Sequence, residues 1–194
     1  MSVARVETVK KSRKDQGKCG KCGTELPAGS AYLYFYVGFR SNYKQVRCLR
    51  AECFPRPSER ESSLASSLLA AQESFHDQVA TADSPEDIEA LVQEVADAID
   101  ELKGEYETAL ESWENGNEQL QEKVDHYEDQ HSELSSWSWD GNTDYDLCSE
   151  HEGREDNVPE EEIQECGACQ EKREEWLEEC RDAAREVVDA VETL

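Results

Sequence analysis

Long apolar runs are missing from this 194-residue chain. No stretch approaches the roughly 18–20 apolar residues that a membrane-spanning helix needs, which excludes an integral helical membrane protein. Basic residues are missing from most of the chain as well. Residues 61–194 hold only 7 Lys/Arg against 41 Asp/Glu, whereas residues 1–60 hold 13 against 5. The formal charge of −26 is therefore a small cationic module (+8) joined to a large polyanion (−34). A polyanion does not hold nucleic acid through its bulk surface, because phosphate contacts need clustered Lys and Arg. Only residues 1–60 are open to that role. With 37% hydrophobic and 34% charged residues, a large apolar core is not expected. Absent too are a nucleophile motif, a phosphate loop and a dinucleotide fingerprint, so the expectation is a non-enzymatic protein. The basic stretch Lys10, Lys11, Arg13, Lys14 leads into no apolar segment and does not read as a secretory signal. That predicts a cytoplasmic protein. There, eight cysteines point to metal or free thiols rather than disulfides.

What is present is organised around those cysteines. Cys19-x2-Cys22 and Cys48-x4-Cys53 flank 25 residues. Four thiolates in two pairs fit a tetrahedral Zn²⁺ with every position filled, which is the mark of a structural site. Gly20 and Gly23 stand where a knuckle needs loose backbone. A module of about 40 residues with few aliphatics also needs such a staple. Between the pairs, Ala31–Val37 is an aromatic and β-branched run. Gly38 to Asn42 reads as a turn, and Tyr43–Arg47 as a returning strand. Residues 1–18 read as a polar, basic arm.

A second set follows: Cys148-x2-His151, 14 residues, then Cys166-x2-Cys169. The spacing predicts a second structural Zn²⁺, clamping the turn between two helices. Cys180 lies on a helical seam and reads as a small core residue. Two look-alikes weigh little. Cys148-Ser149-Glu150 before Cys166-x2-Cys169 mimics a zinc deaminase, but lacks the proline, the gap length and an α/β setting. Asp140, Asn142, Asp144 and Asp146 mimic a calcium loop, but Tyr145 and His151 stand where that loop needs Gly and Glu. His76, His126 and His131 read as surface histidines. Trp113 reads as core, and Trp137 and Trp139 as packing on one face of an extended segment.

The first set, with its knuckle, its hairpin and a second ligand pair leading into a helix, resembles the treble-clef and zinc-ribbon class. It is loosely similar to PARP-type fingers, also basic zinc modules with an aromatic hairpin. Where those have His-x2-Cys, this chain has Cys48-x4-Cys53. The run from Cys19 to Ser58 also resembles zinc-binding segments of uncharacterised proteins of actinobacterial tailed phages. That resemblance covers the first third of the chain. It implies metal binding and no particular activity, and a phage origin would make the compartment the host cytoplasm.

Helical signals fill the rest. Ser58 with Glu61 reads as a capping box, opening a helix with Leu64, Leu68, Ala71, Phe75 and Val79 on one face. Asp83-Ser84-Pro85 ends it and starts the next. Val92, Ile99, Tyr106, Trp113, Leu120, Tyr127 and Leu134 then recur every seven residues. Ile88, Val95, Leu102, Ala109, Gly116, Lys123 and Gln130 form the partner series. A continuous helix of that length would be a rod of roughly 70–75 Å, with Asn115-Gly116-Asn117 as its kink or break. A third helix opens near Pro159 or restarts after Cys169, with its seam at Leu177, Cys180, Ala184, Val187, Val191 and Leu194. The predicted divisions are a basic zinc-binding module at 1–57, a coiled-coil helical hairpin at 58–134, and a second zinc-knuckle segment with a C-terminal helix at 135–194. The fold class is mostly α with a small α+β module at the N-terminus.

The functional expectation is an adaptor or regulatory protein. Lys14, Lys18, Lys21, Arg40, Lys44, Arg47 and Arg50, interleaved with tyrosines, would face nucleic acid or a protein partner. The coiled coil would present the finger or form a homodimer. The alternative is an acidic DNA mimic that inhibits a host nucleic-acid-binding protein of defence or transcription. High-salt adaptation and masking of the basic module by the chain's own acid are further readings of the carboxylates.

Overall fold

The computed structural model describes residues 4–37, 44–61, 64–113, 116–139, 147–151 and 160–194. The expected turn at Gly38–Asn42, Arg40 and Tyr43 lie outside the described residues, as do the acidic loop Asp140–Asp146 and Pro159. The chain forms two compact units, Met1–Ala70 with Thr193–Leu194, and Ala71–Glu192.

The first unit is built on the aromatic run. β1 (Glu7–Val9), β2 (Tyr32–Tyr36) and β3 (Lys44–Arg47) make an antiparallel sheet with β2 in the centre. Thr8 pairs with Leu33, and Leu33 with Arg47. The period-2 alternation of a strand separates two faces. Tyr32 and Tyr34 lie on the face that packs with Cys19, Leu26, Cys48 and Cys53. Leu33 and Phe35, both buried, lie on the other. The arm expected at 1–18 is thus partly sheet. β1 is only three residues long and half-polar, too short for its alternation to be read in advance.

A 3-10 turn at Ala51–Cys53 leads into α1 (Pro57–Arg60). The cap sits two residues earlier than expected. Glu59 Oε2 accepts from the Arg56 N–H at 2.9 Å, and Pro57 takes the first helical position. Proline's fixed φ favours that start. The helix stops after one turn, because Glu61 is extended (φ −97°, ψ 138°). A separate helix, α2 (Ser66–Val79), carries Leu68, Phe75 and Val79 inward.

In the second unit, α3 (Pro85–Glu111) opens as expected. Ser84 caps it, accepting from the Asp87 N–H at 3.1 Å, with Pro85 at the first position. The long rod does not form. The chain reverses after α3: Gly116 takes φ +71°, and α4 (Glu118–Ser135) folds back along α3. Asn117 caps α4, accepting from Gln119 N–H and Leu120 N–H at 3.1 and 3.2 Å. The reversal places Tyr106 and Tyr127 in a parallel stack at 5.7 Å. Trp113, expected in the core, sits in the turn and is 56% exposed. Its seven-residue register with Tyr106 and Leu120 crosses the break between α3 and α4. Past that break the buried residues are Val124, Tyr127 and Leu134, so the partner seam shifts by one from Lys123. Lys123 lays its Nζ 5.0 Å above the Tyr106 ring instead.

The last helix is interrupted, as α5 (Glu160–Glu165) and α6 (Gly167–Asp189). α6 packs on α3, and its buried residues include Leu177, Cys180, Arg181, Ala184 and Val188. Val188 rather than Val187 is the buried seam residue, and Leu194 is exposed. Arg181 lies on the seam. Its Nη2 donates to Ala82 O at 2.9 Å, and its Nη1 meets Glu174 and Glu178 at 2.6 and 3.0 Å. Gln72 Nε2 bonds the Val188 and Val191 carbonyls, and Trp139 N–H donates to Glu89 Oε1. Among the described residues, no helix is long and apolar enough to cross a membrane.

Candidate metal centres

Both donor sets close in space. In each, one ligand atom from every residue lies within 4.8 Å of all the others: Cys19, Cys22, Cys48 and Cys53 in the first unit, Cys148, His151, Cys166 and Cys169 in the second. A tetrahedral zinc with bonds of about 2.3 Å to sulfur separates its sulfurs by about 3.8 Å. Here Cys22 Sγ and Cys48 Sγ are 3.6 Å apart, and Cys148 Sγ and Cys166 Sγ 3.8 Å. His151 points Nδ1 inward, 3.3 Å from both Cys148 Sγ and Cys169 Sγ, which suits the shorter bond of a ring nitrogen. The donor sets therefore fit zinc or a metal of similar demands.

Local backbone builds each set. In the first knuckle, Gly23 takes φ +72° and returns its N–H to Cys19 O at 2.9 Å. Gly20 N–H reaches Val46 O at 2.9 Å, tying the knuckle to β3. The Cys48 N–H points at Cys19 Sγ at 3.3 Å, and the Cys148 N–H at Cys169 Sγ at 3.5 Å. Such bonds steady a thiolate beside a cation. Thr24 is a site residue that the spacing did not mark. Its Oγ1 lies 3.1 Å from Cys22 Sγ, and only its place two residues past a ligand hinted at it.

The electrostatics show what the sets require. The Thr24 side chain and backbone hold Cys22 down to about 6. The Glu150 backbone N–H, outweighing burial, holds Cys148 to about 7. Burial and the neighbouring thiols push Cys53 up to about 12. Within the first set a lowered thiol and a raised one thus stand side by side. A dication at the centre removes that conflict and lets all of them act as thiolates. Cys180 stands apart from both sets, fully buried on the α6 seam, and burial pushes its thiol up to about 11. It is a core residue, as its spacing predicted.

The basic residues divide. Lys14, Lys18, Lys21 and Arg50 are exposed. Arg47 is not a surface residue: its side chain is 9% exposed, and its Nη2 pairs with Glu59 Oε1 at 2.8 Å. It also lies 5.9 Å from the Phe35 ring centre. An inward position on β3 and a carboxylate from α1 engage it within the unit. Lys44 is occupied as well, donating to Tyr32 Oη at 3.2 Å with its Nζ 4.3 Å above the Tyr34 ring. Glu59, missed in the sequence, is what holds Arg47. Among the histidines, His76 faces Asp189 at 3.0 Å and His126 faces Glu192 O at 3.2 Å, outside both sets. Trp137 and Trp139 are both half-buried.

No family model, no curated protein and no solved structure matches the chain, so none of them supports the expected resemblance to PARP-type fingers or to tailed-phage proteins.

Proposed function

We propose that the chain is a zinc-stabilised, non-enzymatic adaptor or regulatory protein whose N-terminal finger docks on a partner. The observation that carries this reading is the closure of both donor sets. Four protein donors converge in each, leaving no position for a substrate or an activated water. The knuckle, the hairpin and the second pair running into a short turn are the parts of a treble-clef-like finger, and α3 with α4 makes a short antiparallel coiled coil.

The finger's rim supports a docking role. Lys18, Lys21, Leu49 and Phe54 each adjoin a donor in sequence and Arg50 stands two residues after Cys48, so they converge around one donor set. Leu49 and Phe54 are 52% and 54% exposed, and the three cations are exposed too. Cations around apolar residues suit an acidic protein surface or a nucleic acid. A second reading keeps the acidic helices as the working surface, a DNA mimic aimed at a host nucleic-acid-binding protein. What favours it is the run of exposed carboxylates along α3, α4 and α6.

One experiment tests both. The full chain, carrying two zinc ions by native mass spectrometry, is used as bait, with and without competing DNA. A partner lost on Lys21→Ala, Arg50→Ala and Phe54→Ala substitution, but not to DNA, supports the adaptor. A partner displaced by DNA and indifferent to those substitutions supports mimicry. Direct, salt-sensitive binding of an oligonucleotide to the bait assigns the finger to nucleic acid. A chain with no bound metal ends the zinc reading.

A further inference from the structure

This inference rests on the reading that both donor sets hold a metal, and concerns what each metal does. In the first unit three of the four donors lie in the buried cluster on one face of the sheet. Of the buried cluster Cys19, Leu26, Tyr32, Cys48 and Cys53, three are ligands. The sheet alone supplies little else on that face, only the partly buried Val9, Tyr34 and Val46. Taking the metal away removes the centre of that cluster, the situation of small metallo-domains that unfold without metal.

The second unit is arranged the other way round. Its largest fully buried side chains include Tyr127, Phe75, Ile88, Ile99, Leu102 and Leu177, and none is a donor. Its helices meet through contacts remote from the site: the Tyr106–Tyr127 stack, Gln72 on the end of α6, and Arg181 on Ala82 O. The donors lie at the margin. Cys148 and His151 belong to the connection before α5, Cys166 is the N-cap of α6, and Cys169 sits in its first turn. That helix start is short of ordinary support. Cys166 makes no side-chain cap bond, and no acidic residue stands in the first turn. A dication on three thiolates and a neutral imidazole has a net charge of about −1, and that negative complex would sit where a helix N-terminus favours it.

We propose that the second set is a metal-responsive clasp. A zinc-class dication held by Cys148, His151, Cys166 and Cys169 ties residues 147–151 to the start of α6. It enters and leaves by local opening, while the helices stay folded. The first metal exchanges only when its unit unfolds. Local opening at a margin costs far less than global unfolding, so the two sites separate in time.

The test uses the full chain loaded with natural zinc and mixed with isotopically enriched zinc. Native mass spectrometry follows the exchange and hydrogen exchange follows the backbone. Two bound metals with two exchange phases are expected. The fast phase should vanish in His151→Ala and in Cys166→Ser, each retaining one metal. In both variants α3, α4 and the Leu177–Val188 part of α6 should keep their protection, and only residues 147–151 and the first turn of α6 should lose it. A single exchange phase overturns the clasp, as does loss of α3 protection in both variants. Absence of metal from the native chain overturns the functional reading itself, a separate and distinguishable result.

Discussion

Arg47 shows how far residue type alone reaches. It stands in a basic segment and was expected on a ligand-facing surface. The alternation of β3 turns it inward, where Glu59 meets it. Composition counts cations but does not say which way they point. Glu59 is in turn held below the ordinary carboxylate range; the Arg56 N–H and Arg47 outweigh its burial. Its lowered value contributes stability above the ordinary carboxylate pKa, and that contribution is lost as the pH falls through the lowered one. Arg47→Ala should destabilise the first unit by about 1–3 kcal/mol, because it leaves a half-buried carboxylate without its partner. Lys18→Ala should change it by less than about 0.5 kcal/mol. Hydrogen exchange across Tyr32–Tyr36 reads both. Cys180 gives a second check. With its thiol pushed up to about 11, it should stay inert to a thiol reagent in the metal-loaded chain. Chelation should release the ligand thiols first and Cys180 only on unfolding. Cys180→Ser should cost about 1–3 kcal/mol, as a buried hydroxyl without a partner, and leave two metals bound. The donor sets were legible because a metal imposes its spacing locally. Thr24 was not, because a threonine beside a knuckle has many uses.

At the level of elements, strong local chemistry was legible and long-range register was not. Ser84-Pro85 opens α3 as its cap and first-position proline require. The seven-residue series through Trp113 looked like one helix because periodicity cannot distinguish a rod from a hairpin whose arms happen to keep step. The decision belongs to Gly116, whose φ of +71° glycine adopts without the steric cost a Cβ would bring. Gly116→Ala should therefore destabilise the hairpin by about 1 kcal/mol, and Asn117→Ala, which removes a cap to two N–H groups, by a similar amount. Trp113→Ala should be near neutral, whereas Tyr127→Ala, at 0% exposure, should cost about 3–5 kcal/mol. Denaturant titration of the helical signal at 222 nm ranks the four. A Trp113 effect as large as that of Tyr127 would mean that the heptads had been right and the hairpin wrong.

For the whole molecule, the sequence exposes an imbalance that neither unit resolves internally. Residues 61–194 hold 41 carboxylates against 7 cations, and several of those cations are already committed: Arg181 and Arg185 to Glu178, Lys103 to Asp100. The carboxylates of those pairs are about half exposed, so solvent screens each pair. The remaining acid repels itself across the helical unit, and that repulsion opposes folding. Raising sodium chloride from 0.01 to 1 M shortens the screening length from about 30 Å to about 3 Å. The helical melting transition should then rise by about 5 °C or more, since one kilocalorie per mole moves a domain of this size by several degrees. An uncharged osmolyte at equal osmolality provides the control for exclusion effects. The same salt series should weaken any partner held by Lys21 and Arg50, so folding and docking should respond in opposite directions. If melting does not rise with salt, the carboxylates are not limiting the stability of the helices, and the case for an acid surface maintained at a cost, on which mimicry depends, falls with it.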